Sequence, residues 1–225
     1  MTLHVKPTDS ELFHVKQGYF ITGTGTGVGK TFVTTALARR ARELGRRVFA
    51  FKPIESGCEP GTLGEDQRAL TQAAGGWQTD DLAGVYQFEL PAAPAVAAPV
   101  GAISFARIAT ALALGSETVD LVLVEGAGGW RVPIDSTHDM GALARQCNLP
   151  ILVAATATLG TINHSLLTIE AIERDSQTVA GLVLSTLPTD DESLVETNVE
   201  QLRARWNGVI VVLRTDPSVL DPLLT

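Results

Sequence analysis

Tyr19-Phe20-Ile21-Thr22-Gly23-Thr24-Gly25-Thr26-Gly27-Val28-Gly29-Lys30-Thr31 runs from a short apolar stretch through a glycine-rich turn into a helical pattern. Strand, glycine loop and Gly-Lys-Thr at a helix start together mark a phosphate-binding loop. Glycines let the backbone bend around an anion and turn its N–H groups inward. The helix N-terminus adds a favourable field. In that frame Lys30 reaches the β- and γ-phosphates of a nucleotide, and the Thr31 hydroxyl faces a magnesium ion. The strict G-x-x-x-x-G-K-[ST] spacing needs a glycine at Thr24; the nearest one upstream is Gly23, so the loop is one residue longer. The dinucleotide pattern G-x-G-x-x-G fails from Gly23 and from Gly25, because its last glycine falls on Val28 or on Lys30.

Outward from this loop, apolar runs of strand length alternate with helical patterns. Tyr19–Thr22, Arg47–Phe51, Val85–Phe88, Val119–Val124, Ile151–Ala155, Val179–Leu184 and Val209–Leu213 read as strands. Lys30–Leu44, Asp66–Ala74, Phe105–Leu114, Met140–Gln146, Ile162–Arg174 and Glu192–Trp206 read as helices, with Gly45 ending the first. Continuous apolar strands are those covered on both faces. The expectation is an α/β fold, P-loop NTPase-like, with a mainly parallel sheet of about seven strands flanked by helices on both faces. Residues 1–17 read as an N-terminal extension and 18–225 as a single domain. Pro91 to Pro99 is punctuated by prolines and reads as a loop, either at an active site or interface or simply long.

Composition bounds the function. The chain has 225 residues, 45% apolar and 19% charged, enough to bury a core. Seventeen basic residues face 25 acidic ones, for a net charge of −8, which argues against a nucleic-acid surface. No apolar stretch has the length of a membrane span, and the start lacks a signal-peptide pattern. Cys58 and Cys147 have neither disulfide-framework nor zinc spacing. A cytoplasmic protein is expected, with no membrane and no nucleic-acid partner.

In parallel sheets, ligands bind beyond the carboxyl ends of the strands. Glu125 ends the run Val119–Val124 and is followed by Gly126-Ala127-Gly128-Gly129. A P-loop enzyme keeps its second metal carboxylate there. Lys52 ends the second strand, followed by Pro53 and then Ser56, and a cation there suits a transferring phosphoryl group. Asp66 has two readings, a helix cap before Ala69 and Leu70 or a metal carboxylate.

Together these segments resemble the dethiobiotin synthetase family. The resemblance rests on Gly23 to Thr31, Lys52-Pro53 with Ser56-Gly57, Glu125 to Trp130, and Leu159-Gly160-Thr161-Ile162-Asn163-His164. It implies a homodimer that joins 7,8-diaminononanoate and carbon dioxide at the expense of ATP–Mg²⁺, through a carbamate and a carbamic–phosphoric anhydride. It implies catalytic roles for Lys52, Lys30, Thr26 and Ser56. Nucleotide contacts fall to Gly25, Gly27, Val28, Gly29, Lys30, Thr31, Phe32, Glu125, Gly126, Gly128 and Gly129. Thr31, Asp66 and Glu125 surround magnesium. Substrate contacts fall to Lys52, Ser56, and Gly160, Thr161, Ile162 and Asn163, the last four from across the dimer. Ser185, or Thr186 if the alignment shifts by one, stands where the family reads adenine with asparagine, which opens base choice to other nucleoside triphosphates.

Two other classes share the loop. A carboxylate-activating amidotransferase-type synthase usually carries a further glutaminase domain, for which 225 residues leave no room. A partitioning-type ATPase switch usually has another lysine early in the loop; Gly23 to Gly29 has none.

Overall fold

The computed structural model describes residues 17–225; most of the expected N-terminal extension lies outside the described residues. The strands are β1 (Gly18–Gly23), β2 (Val48–Phe51), β3 (Ile54–Ser56), β4 (Tyr86–Phe88), β5 (Leu121–Gly129), β6 (Ile151–Thr156), β7 (Val179–Ser185) and β8 (Ile210–Leu213). The helices are α1 (Lys30–Glu43), α2 (Glu65–Ala73), α3 (Pro94–Ala97), α4 (Phe105–Ser116), α5 (Met140–Cys147), α6 (Thr161–Arg174) and α7 (Glu192–Arg203). Two 3₁₀ segments, Asp80–Leu82 and Pro217–Leu223, complete the set.

Six strands form one parallel sheet in the order β2-β5-β1-β6-β7-β8. Its strands alternate between two cores. Phe20, Val122, Val124 and Val153 pack with α4, α5, α6 and α7; Ile21, Leu121, Leu123 and Leu152 pack with α1, α2 and the C-terminal 3₁₀ segment. With both faces covered, every position must be apolar, which explains the uninterrupted runs. The chain lies on both sides of β1, between β5 and β6, so the cleft forms at the carboxyl end of β1.

The seven-strand expectation is corrected to six in the main sheet. Val85–Phe88 does not join it. Tyr86–Phe88 instead pairs in parallel with Ile54–Ser56 as a separate two-stranded sheet. All three β4 residues are only half-buried, and the N–H groups of Val85 and Tyr86 donate to the Pro53 carbonyl at 3.2 and 2.9 Å. Pro53 thus turns the chain off β2 and starts this second sheet, which shelters the site from one side. The free edge of β2 is sealed by side chains: the Trp77 indole and Gln78 amide donate to the Val48 and Ala50 carbonyls at 3.0 and 2.9 Å. β5 runs through its glycines as far as Gly129, longer than the apolar run that announces it. No helix among the described residues is long and apolar enough to cross a membrane.

Candidate active site

Three neighbouring strands build the site. β1 runs into the glycine loop, β2 delivers Lys52, and β5 carries Glu125. They open on a cleft of about 540 Å³ whose lining includes Thr26, Lys30, Thr31, Lys52, Ser56 and Asp66.

The loop ends at Gly29, which sits at the N-cap of α1 with φ 87°, a left-handed conformation that an L side chain resists. No side chain caps α1, so its first N–H groups are left for an anion. Lys30 is buried and folds back to donate to the Gly25 carbonyl at 3.1 Å. Burial pulls its ammonium below the ordinary value, with Glu125 opposing and Lys52 adding to the fall.

Glu125 has no exposed surface and three donors around it. Its Oε1 accepts from the Thr31 hydroxyl at 2.9 Å and the Lys52 ammonium at 3.0 Å; its Oε2 accepts from the Thr34 hydroxyl at 2.9 Å. Lys52 also pairs with Asp66. Burial works against the Lys52 charge, but Glu125 and Asp66 outweigh it and hold the ammonium above its ordinary value. Burial likewise opposes ionisation of Asp66, and Lys52 reverses that, leaving the carboxyl below its ordinary value.

The helix-cap reading of Asp66 gives way here. Gly64 occupies the N-cap of α2, and the capping carboxylate comes from Glu55 on β3. Asp66 is thereby free to turn to Lys52. Its neighbour Glu65 is exposed and does not line the cleft.

The remaining expected residues divide. Gly27, Gly29, Phe32 and Gly128 line the cleft. Gly126 is buried within β5, and Gly129 pairs with Gly23. Ser185, at the end of β7, donates its hydroxyl to the Val28 carbonyl at 3.0 Å and so braces the loop from behind. Gly160, Thr161, Ile162 and Asn163 start α6 and are not brought to the cleft within this chain. The Thr161 hydroxyl is buried without a hydrogen-bond partner among the described residues, and Asn163 is exposed. Pro91, Ala92, Ala93 and Pro94 do line the cleft, so the proline segment belongs to the site. Cys58 and Cys147 are free thiols.

Three site residues escape a reading of the sequence: Thr34, Glu55 and Gln67. Thr34 stands one helical turn after Lys30, on the face that meets the sheet, a spacing that could have flagged it. Glu55 acts 11 and 12 residues along the chain and carries no local signal; Gln67 sits at the third helical position of α2, where its bond to the Gly64 N–H is local but its bond to the Lys52 carbonyl is not.

A family model described as an AAA domain matches residues 17–215. The chain is 39% identical over 206 residues to the ATP-dependent dethiobiotin synthetase of Anaeromyxobacter dehalogenans strain 2CP-C, covering 90% of this chain and 92% of that one. It is 36% identical over 213 residues to the enzyme of the same name from Aromatoleum aromaticum, covering 92% and 93%. Among solved structures it is similar to the MinC:MinD cell division protein complex of Aquifex aeolicus, with TM-score 0.57 and 15% identity over 92% of this chain and 85% of that one. It is also similar to the ParA protein of pNOB8 bound to nonspecific DNA, with TM-score 0.54, 13% identity, and coverage of 92% and 91%. At those identities the two structures share the fold alone.

Proposed function

The chain belongs to the dethiobiotin synthetase family, and from that premise we propose how it carries out ATP-dependent formation of dethiobiotin. One amine of 7,8-diaminononanoate takes up carbon dioxide as a carbamate. A carbamate oxygen attacks the γ-phosphorus of ATP, the bond to the bridging oxygen breaks, and ADP leaves. The resulting carbamic–phosphoric anhydride is attacked at its carbonyl by the second amine, which closes the cyclic urea and expels phosphate. The carbamate is itself the nucleophile, so the protein's task is positioning and charge neutralisation.

The observation that carries this reading is the buried Lys52 ammonium beside the phosphate loop, held between Glu125 and Asp66. It can bridge carbamate and γ-phosphate while charge passes between them. Lys30, freed from the Gly25 carbonyl, holds the β- and γ-phosphates. Thr26 and Ser56, both in the cleft lining, orient the carbamate and the transferring phosphoryl group. Gly25, Gly27, Val28 and Gly29 offer backbone N–H groups to the phosphates.

Thr31 and Asp66 line the cleft and the Glu125 carboxylate stands behind Thr31, a set of oxygen donors that suits Mg²⁺. When bound, magnesium supplies neutralisation of the phosphate oxygens. The Ser185 hydroxyl is spent on Val28, which leaves base choice open to other nucleoside triphosphates.

The start of α6 serves a homodimer in this reading. Gly160, Thr161, Ile162 and Asn163 receive the substrate carboxylate from the partner's cleft, and the open helix N-terminus and the unpartnered Thr161 hydroxyl support that use. Free thiols and an acidic chain support a cytoplasmic enzyme. The test is isotopic. With ¹³C-bicarbonate, the label should appear in the urea carbonyl of dethiobiotin; product formed without label would overturn the carbamate route.

A further inference from the structure

We propose that Glu55 is a positioning residue that holds Asp66 in place, an inference that rests on the reading of Asp66 as the metal-side carboxylate. Helix α2 begins at a glycine, so its N-cap residue has no side chain to offer the first helical N–H groups. Glu55, on β3, supplies the cap from outside: its Oε1 accepts the Asp66 N–H at 3.0 Å and its Oε2 the Gln67 N–H at 2.8 Å. The carboxylate therefore grips the backbone of the very residue whose side chain pairs with Lys52.

Gln67 fastens the other partner. Its side-chain amide donates to the Lys52 carbonyl at 3.1 Å and the Tyr86 carbonyl at 3.3 Å. Its oxygen accepts from the Gly64 N–H at 3.2 Å and the Gln87 amide at 3.0 Å. Lys52 and Asp66 are thus tied to one another through main chain as well as through their charges.

Two glycines show that the arrangement is built to fit. A Cβ on Gly64 would lie 2.0 Å from the Glu55 carboxyl carbon, and one on Gly84 would lie 2.2 Å from the Gln67 amide nitrogen. Both side chains press on backbone that has room for them only because it carries no Cβ. Glu55 is itself buried and borders the cleft, so its grip acts at the site rather than at a remote surface.

The experiment follows binding of a fluorescent, non-hydrolysable ATP analogue to the full chain, first in EDTA and then as Mg²⁺ is added. Wild type is compared with Glu55→Ala, Asp66→Asn and the double variant. Glu55→Gln, which keeps the shape and one acceptor oxygen, is measured alongside as the better-folding substitute. The expected result is unchanged affinity in EDTA, with the Mg²⁺ concentration for half-maximal tightening raised roughly tenfold by Glu55→Ala. Glu55→Gln shifts it in the same direction, and the double variant shifts no further than Asp66→Asn alone. Wild-type Mg²⁺ response in both Glu55 variants, while Asp66→Asn shifts, overturns the positioning role alone. Additive shifts in the double variant, or weakened binding in EDTA, mark general loosening and also overturn it. A wild-type response in Asp66→Asn removes the reading of Asp66 and the inference with it.

Discussion

The Lys52 ammonium lies 3.0 Å from the Glu125 carboxylate, and both side chains are buried. A buried carboxylate stripped of its cation is costly, and a phosphoryl transfer stripped of the same cation loses its main charge stabiliser. Lys52→Ala is therefore expected to lower turnover by at least ~100-fold. The far-UV spectrum should stay native, because Thr31 and Thr34 still donate to Glu125. Near-normal turnover would remove Lys52 from the mechanism.

Lys30 occupies the loop it would share with phosphates, bonded to the Gly25 carbonyl. Lys30→Ala should weaken nucleotide binding by roughly tenfold or more, since a charge-assisted contact to phosphate is lost. Calorimetric titration measures this directly. Unchanged affinity contradicts the phosphate-loop assignment.

Much of this was legible beforehand, for physical reasons. The strands of the main sheet are covered on both faces, so their apolar runs stand out whatever the neighbours do. Gly45 ends α1 with φ 81°, as a glycine after a helical pattern suggests. β3 and β4 were harder, because strands of three residues, two of them buried in the first and all half-buried in the second, give no period to read. The phosphate loop, Lys52 and Glu125 were legible because each follows an apolar run and stands next to glycine or proline. Glu55 was not: its bonds reach 11 and 12 residues along the chain, and a lone glutamate in Ile54–Ser56 looks like surface. Nor does sequence show that the Pro91–Pro94 turn folds over the cleft, since proline announces a turn and not its destination.

Gly64→Ala should destabilise the protein by about 1–3 kcal/mol, because the added methyl must displace a buried carboxylate. The backbone there is ordinary, with φ −69°, so the cost is contact and not strain. Gly84→Ala should behave alike through Gln67. Urea unfolding checks both, and wild-type midpoints would contradict the tight fit.

Asp175, just beyond α6, accepts from the Trp130 indole at 2.9 Å, Arg131 at 2.8 Å and Arg145 at 3.0 Å, tying the loop after β5 to that helix. Burial opposes its charge, but Arg131 and Trp130 prevail and hold its carboxyl below the ordinary 3.8. A carboxyl depressed in the folded state contributes its stability fully above the unfolded value and loses it as pH falls through the folded one. Asp175→Asn should then cost about 1–2 kcal/mol at neutral pH. That deficit should shrink as the solution is acidified below 3.8. A deficit unchanged by acid would contradict the ionic account.

The most direct test of the central claim is phosphate release from ATP–Mg²⁺ with bicarbonate, with and without 7,8-diaminononanoate, repeated with CTP and GTP. Release that requires the diamine is the predicted result, with the other nucleotides supporting it as well. Release that proceeds equally without the diamine would contradict the ring-closing reaction.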